Sequence, residues 1–160
     1  MELVLLRHGK AEDEHPQGDA ARELVAKGVK QAARAGELLR SLERLPEVVL
    51  SSPRRRALRT AEVFCEAAGL PGPVVEAWLD CGMSPETALG ELAAYADFGR
   101  VMIVGHEPDF SELAGWLLGC AGDSGVEVKK GSLVGLDCDP PARGATLLFA
   151  LPPAMVAGGR

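Results

Sequence analysis

The chain of 160 residues is poor in aromatic side chains (4 %), and its four cysteines, Cys65, Cys81, Cys120 and Cys138, lie far apart with no CxxC pair. Reduced, buried thiols are therefore expected rather than a disulfide framework. No apolar run approaches the roughly 20 residues of a membrane span, so no membrane partner is expected. Neither a basic n-region nor a small-residue cleavage site stands before the first apolar run, which leads us to expect a cytoplasmic protein. Positive charge is also in short supply: 17 Lys and Arg stand against 23 Asp and Glu, a net charge of −6. That balance disfavours a nucleic-acid binder, which would carry a basic face. What is present is a hydrophobic fraction of 47 %, rich in Ala, Leu and Val. This suits an α/β protein forming a single domain over residues 1–160, long enough to bury a core.

The first apolar run, Leu3 to Leu6, reads as a buried strand that stops abruptly at Arg7-His8-Gly9. A polar loop follows from Lys10 to Ala20. From Leu24 the residues Leu24, Gly28, Ala32, Leu39 and Leu42 recur near helical spacing, with Lys27, Lys30, Arg34, Glu37 and Arg40 on the other face. Glu47 to Ser51 is a second strand. Ser52-Pro53 reads as N-cap and first helical residue of a helix to about Ala68. Val74-Val75 is a short third strand, and Ser84-Pro85-Glu86 opens a helix reaching about Tyr95. Arg100 to Gly105 is a fourth strand, followed by a mostly apolar helix from Pro108 to about Leu118. Ser132 to Leu136 and Thr146 to Leu151 are two final strands, joined through a turn around Pro140-Pro141 and Gly144. The alternation predicts a three-layer α/β/α fold with a mostly parallel central sheet and an antiparallel C-terminal strand pair.

In such sheets ligands bind beyond the carboxyl ends of the strands. Three of those ends carry polar chemistry: Arg7-His8-Gly9, Ser51-Ser52 with the arginines after it, and Gly105-His106-Glu107. Arg7 at the end of a buried strand calls for an anion, because an unpaired buried charge is costly. Gly9 lets a ligand or the turning backbone come close. Arg54, Arg55, Arg56 and Arg59 crowd the start of a helix, where cations oppose the macrodipole. A bound phosphate would turn that liability into a site; otherwise the arginines lie on a solvated face. Taken alone, His8 is a nucleophile, a base or a metal ligand. Zinc on His8, His15 and His106 fits by count, but Arg7 beside a ligand would repel the cation.

These residues resemble a family. Arg7-His8-Gly9, Ser52-Pro53-x-x-Arg56-Ala57-x-x-Thr60-Ala61 and Gly105-His106 are similar to the three signatures of the histidine phosphatase superfamily, branch 1, also described as phosphoglycerate-mutase-like. Arg22-x-Leu24-x-x-x-Gly28-x-x-Gln31-Ala32 resembles that family's first helix. The small size and the Cys81-Gly82 pair bring the chain nearest to the SixA-type phosphohistidine phosphatases. The resemblance implies that His8 accepts the phosphoryl group as nucleophile, that Arg7 and Arg56 clamp its oxygens, and that His106 adds a donor. Gly9, Arg22, Ser52 and Glu107 are the expected substrate-binding residues. No cofactor and no metal are called for.

Two departures from the family follow. Larger members carry a glutamate as general acid after the third strand. Here Asp80 is the nearest candidate, with Glu107 and the acidic loop of Glu12 to Glu14 behind it, and a solvated loop carboxylate is the plainer reading of Asp80. Val25 stands where a helix-capping threonine is usual, at a cost of about 1 kcal/mol unless the helix begins earlier. His15 reads as a loop histidine, with substrate contact as the alternative. Arg22 pairs with Asp19 or Glu23, or else touches substrate. Trp78 and Trp116 read as core or rim packing. The expected partner is a phosphorylated protein, such as a histidine phosphotransfer domain in a phosphorelay, since an imidazole leaving group tolerates a missing acid. A small phosphorylated metabolite, with Asp80 or Glu107 as acid, is the alternative. A catalytically silent phosphate-binding module comes third, and the short chain disfavours a mutase.

Overall fold

The computed structural model describes residues 1–121 and 125–156. Six strands form one sheet in the order β3-β2-β4-β1-β5-β6. They are β1 (Glu2–Arg7), β2 (Val48–Ser51), β3 (Val74–Val75), β4 (Arg100–Gly105), β5 (Leu133–Asp139) and β6 (Ala142–Leu151). The first four are mutually parallel, β5 runs antiparallel to β1, and β6 antiparallel to β5. The helices are α1 (Ala26–Ser41), α2 (Arg55–Ala68), α3 (Pro85–Leu92), α4 (Asp109–Leu117) and the short α5 (Pro153–Val156). None of the described helices is long and apolar enough to cross a membrane.

The uninterrupted apolar run of β1 has a simple cause: both faces of the sheet are covered. Leu3 and Leu5 pack with Ile103, Phe110 and Leu113 on one face, while Val4 and Leu6 pack with Leu39, Ala61 and Phe64 on the other. Each of these four β1 side chains is fully buried, contributing about 1.5–3 kcal/mol. The register then determines where the chemistry falls. Arg7 pairs with Gly105, and Ser51 with Val104, so three strands end almost level. The His8 N–H donates to the Gly105 carbonyl and the Ser52 N–H to the Val104 carbonyl, both at 3.0 Å, which extends the ladder one residue beyond those ends.

Several boundaries differ from the sequence expectations. Helix α2 opens at Arg55 instead of Pro53, and Ser52 is not its N-cap: the Ser52 hydroxyl bonds His106 and accepts from the Arg54 N–H. Helix α1 begins at Ala26, later than Leu24, with Val25 at the capping position and no side-chain cap. The preceding residues pair instead with the loop after β1, through an Ala11–Leu24 bridge and the Val25 N–H to the Lys10 carbonyl. The α3 helix ends at Leu92 and continues as a 3-10 turn, Ala93–Tyr95; its Ser84 cap accepts from the Thr87 N–H as expected. Strand β6 starts at Ala142, so Gly144 lies inside it and only Pro140-Pro141 make the turn. All four cysteines are unpaired, but only Cys65 and Cys138 are buried; Cys120 is half-buried and Cys81 exposed.

Candidate active site

The loop after β1 passes directly against α1 at Gly9. A Cβ on Gly9 would sit 2.6 Å from the Gly28 carbonyl oxygen, and one on Gly28 would sit 2.1 Å from that of Lys10. Both approaches are closed to any other residue. The Gly9 N–H donates to Thr60 Oγ1 at 3.1 Å, and that hydroxyl donates to the Arg56 carbonyl at 2.7 Å. One threonine thus ties the loop after β1 to the first turn of α2.

His8, Arg56 and His106 are only 5 %, 5 % and 2 % exposed, yet all are polar. The two imidazoles lie with ring centroids 5.3 Å apart. His8 Nδ1 meets the Gly9 carbonyl oxygen at 2.8 Å. A carbonyl only accepts, so Nδ1 holds the proton and Nε2 holds the lone pair of the neutral ring. Burial, with the charges of His106, Arg56 and Arg7 adding to it, outweighs the Gly9 hydrogen bond and pulls the His8 pKa down to about 3. His106 falls to about 4, through burial first and then Arg56 and Arg54. Both rings are neutral at pH 7.

Among the described residues, three buried nitrogens of this cluster lack any partner: Arg7 Nε, Arg56 Nε and His106 Nδ1. Each sits on a side chain held elsewhere. Arg7 Nη1 donates to the Val128 carbonyl at 2.9 Å. Arg56 Nη1 and Nη2 donate to the Asp19 carbonyl and carboxylate at 2.9 and 3.2 Å. His106 Nε2 meets Ser52 Oγ at 2.7 Å. When the Ser52 hydroxyl donates to Nε2, the His106 proton sits on Nδ1, and all three unpartnered atoms are donors. Donors left unpaired around an imidazole with an available lone pair suit an oxyanion such as a phosphoryl group.

The remaining arginines are answered by carboxylates. Arg54 Nε donates to Asp80 Oδ1 at 2.5 Å and its Nη1 to Asp19 Oδ2 at 2.6 Å. Arg55 pairs with Glu23 and Arg59 with Glu62. Arg22 takes the ion-pair alternative, with Nη1 on Asp19 Oδ1 at 2.8 Å and Nε on the Glu12 carbonyl. Asp19 therefore gathers Arg22, Arg54 and Arg56, and Arg22 in the first place holds its carboxyl pKa down at about 2. The i,i+3 spacing of Asp19 to Arg22 is its one local signal; its contacts to Arg54 and Arg56 have none.

Asp80 lies at the site, though not in the state an acid needs. Burial pushes its pKa up, but hydrogen bonds from Arg54 and the Cys81 N–H outweigh this and leave it below the usual range. Glu107 has both carboxylate oxygens on Ser111, one on its N–H and one on its hydroxyl, so it closes the first turn of α4 rather than offering a bare carboxylate. Burial raises its pKa, with Arg7 acting against the rise. His15 stays in its own loop, accepting from the Gln17 N–H. Trp78 and Trp116 pack against the core, and Arg143 stacks over Trp116 at 4.4 Å.

Comparison with known proteins bears on the fold and the family. Residues 3–87, over half of the chain, match the histidine phosphatase superfamily (branch 1). An uncharacterized protein of Picosynechococcus sp. is 33 % identical over 146 residues, covering 85 % of this chain and 84 % of that one. A 2,3-bisphosphoglycerate-dependent phosphoglycerate mutase of Streptomyces griseus is 42 % identical, but over only 48 % of this chain and 32 % of the mutase. Among solved structures, the protein histidine phosphatase SixA complexed with tungstate superposes with a TM-score of 0.87 at 22 % identity, covering 98 % and 99 % of the two chains. A putative phosphohistidine phosphatase SixA from Agrobacterium tumefaciens gives 0.78 at 26 %, covering 94 % and 96 %. A putative alpha-ribazole-5'-P phosphatase from Escherichia coli gives 0.75 at 21 %, covering 94 % and 96 %. The chain belongs to branch 1 of the histidine phosphatase superfamily and is a phosphatase.

Proposed function

We propose that this phosphatase works through a phosphohistidine on His8 and that its substrate is phosphohistidine carried by a partner protein, a histidine phosphotransfer domain of a cytoplasmic phosphorelay. The observation that carries the proposal is the trio of unpartnered buried donors, Arg7 Nε, Arg56 Nε and His106 Nδ1, beside a neutral His8 whose Nε2 holds the lone pair. The Nε2 lone pair attacks phosphorus as the bond to the leaving group breaks. Arg7, Arg56 and His106 stabilise the charge on the oxygens in passage. Water then attacks the phosphorylated His8, the P–N bond breaks, and inorganic phosphate leaves with Nε2 regaining its lone pair.

The leaving group separates phosphohistidine from a phosphate ester. An alkoxide needs a proton as it departs. Asp80 is held as a carboxylate by Arg54, and Glu107 is occupied by Ser111. A substrate phosphohistidine protonated at its other ring nitrogen leaves as neutral imidazole and requires no protein acid. The similarity to SixA-type proteins supports the same reading. A monoester substrate has one observation in its favour, the raised Glu107 carboxyl beside Arg7.

The test is quenched turnover of a phosphorylated histidine phosphotransfer domain alongside aryl and sugar phosphates. The expected result is fast turnover of the domain alone, with acid-labile, alkali-stable phosphate on the enzyme. His8→Ala should abolish the adduct and lower turnover by about 10³-fold or more. Unchanged turnover in His8→Ala overturns the mechanism, and faster ester hydrolysis overturns the substrate.

A further inference from the structure

The loop after β3 brings a second kind of chemistry to His106. A carboxylate oxygen of Asp80, the Cys81 sulfur and an imidazole nitrogen of His106 all lie within 4.8 Å of one another. His106 Nδ1 is buried with no partner among the described residues, while Nε2 is fixed on Ser52 Oγ at 2.7 Å. A ring held by one nitrogen with the other bare is the disposition of a metal-binding histidine and its outer hydrogen bond. Asp80 uses Oδ1 for Arg54 and the Cys81 N–H. Its Oδ2 has no described partner. The Cys81 thiol is exposed, and its one described contact is a long one, 3.7 Å from Arg56 Nη2.

We propose that Asp80, Cys81 and His106 bind a borderline-soft divalent cation of the zinc class, and that the bound ion inhibits the enzyme. Sulfur, imidazole nitrogen and carboxylate oxygen are the donor types zinc takes, and three protein ligands leave a fourth position for water. Thiolate and carboxylate balance the ion's double charge, and the thiol proton passes to solvent. The His106 proton moves from Nδ1 to Nε2, which then donates to Ser52 Oγ while Nδ1 offers its lone pair to the metal. Arg54 keeps its bond to Oδ1, so Asp80 can turn Oδ2 to the metal and stay oriented from outside. With Zn–S near 2.3 Å and Zn–N near 2.0 Å, the donors must close by about 1 Å, a distance that rotation of the exposed Cys81 side chain supplies. Arg56 beside the sulfur opposes the cation. This makes the site weaker than a closed structural zinc site and reversible, which suits an inhibitor.

Occupation takes His106 Nδ1 away from the phosphoryl oxygens, so zinc and substrate compete. That half of the inference rests on the role proposed above for His106; the binding half does not. The experiment has two readouts on the intact protein in a buffer that does not chelate. Cadmium titration, followed by the ultraviolet sulfur-to-cadmium charge-transfer band, reports binding without reference to activity. Zinc titration of phosphatase turnover reports inhibition. The expected band is lost in Cys81→Ser and in His106→Gln and kept in Cys120→Ser. Zinc should inhibit the native enzyme competitively, and Cys81→Ser should raise the inhibition constant by about tenfold or more with unchanged basal turnover. A band or an inhibition constant that ignores Cys81→Ser overturns the site. A Cys81-dependent band without competitive inhibition keeps the site and overturns the inhibitory role.

Discussion

The arginines near the site fall into two sets, and they differ in whether a buried N–H is left without a described partner. Arg54, Arg55 and Arg59, at the solvent side of α2, meet Asp80 and Asp19, Glu23, and Glu62. Such exposed pairs contribute about 0–1 kcal/mol each and chiefly orient side chains. Arg7 and Arg56, at the sheet edge, each keep a buried Nε with no described partner. Leaving a buried donor unpaired costs about 1–3 kcal/mol, a cost that a ligand offsets when it supplies the missing acceptor. Among these arginines, the binding groups are the ones left with a buried N–H that no described acceptor meets, even though Asp19 pairs with Arg56.

Mutation separates the two sets. Arg56→Ala should lower kcat/KM by about 10²–10³-fold, while Arg55→Ala should stay within about twofold. Equal losses in steady-state assays would erase the distinction. Asp19 joins the sets, since its carboxylate holds Arg22 and Arg54 outside and Arg56 within. Asp19→Ala should raise KM by about tenfold with a smaller fall in kcat, and Asp19→Asn should lie between it and the native enzyme. A loss confined to kcat would show that Asp19 acts on the chemical step instead of holding Arg56.

The smallest expected effect is a missing one. His8 and His106, ordinarily near 6.5, are depressed to about 3 and about 4. A depressed histidine stays neutral until the pH falls to its folded value. After allowance for ionisation of the substrate phosphate, kcat/KM should vary by only about twofold between about pH 5 and pH 8. An inflection near 6.5 would mean that His8 is not buried as described. The same groups act on stability with a definite sign. Between 6.5 and about 4 the unfolded chain takes up protons at these two residues that the folded protein does not, so their contribution falls as pH falls through that window. Urea denaturation at about pH 7 and about pH 5 measures the difference.

The strand ends were readable because their signal is local. Apolar runs stopping at Arg7-His8-Gly9, Ser51-Ser52 and Gly105-His106 predict an edge where polar groups meet, and the register sets those ends level. The Ser52 hydroxyl departs from its local pattern for the opposite reason. Ser-Pro is a strong local capping pattern, but its partner is His106, 54 residues away. Asp80 was similar: a loop carboxylate in sequence, it is an ion-pair partner of Arg54 in space.

The sequence by itself determined the alternation of strands and helices and the polar residues at their junctions, because both follow from the spacing of apolar side chains along the chain. It also carried the family's first two signatures, Arg7-His8-Gly9 and Ser52 to Ala61, which lie within the residues 3–87 that match. Only the tertiary structure decided which charges are answered. Arg54 finds Asp80 at 26 residues' separation and Asp19 at 35, and Arg56 finds Asp19 at 37. Charge pairing acts through space, so the arginine N–H groups left without a described partner at the site, Arg7 Nε and Arg56 Nε, emerge only when the chain has closed on itself.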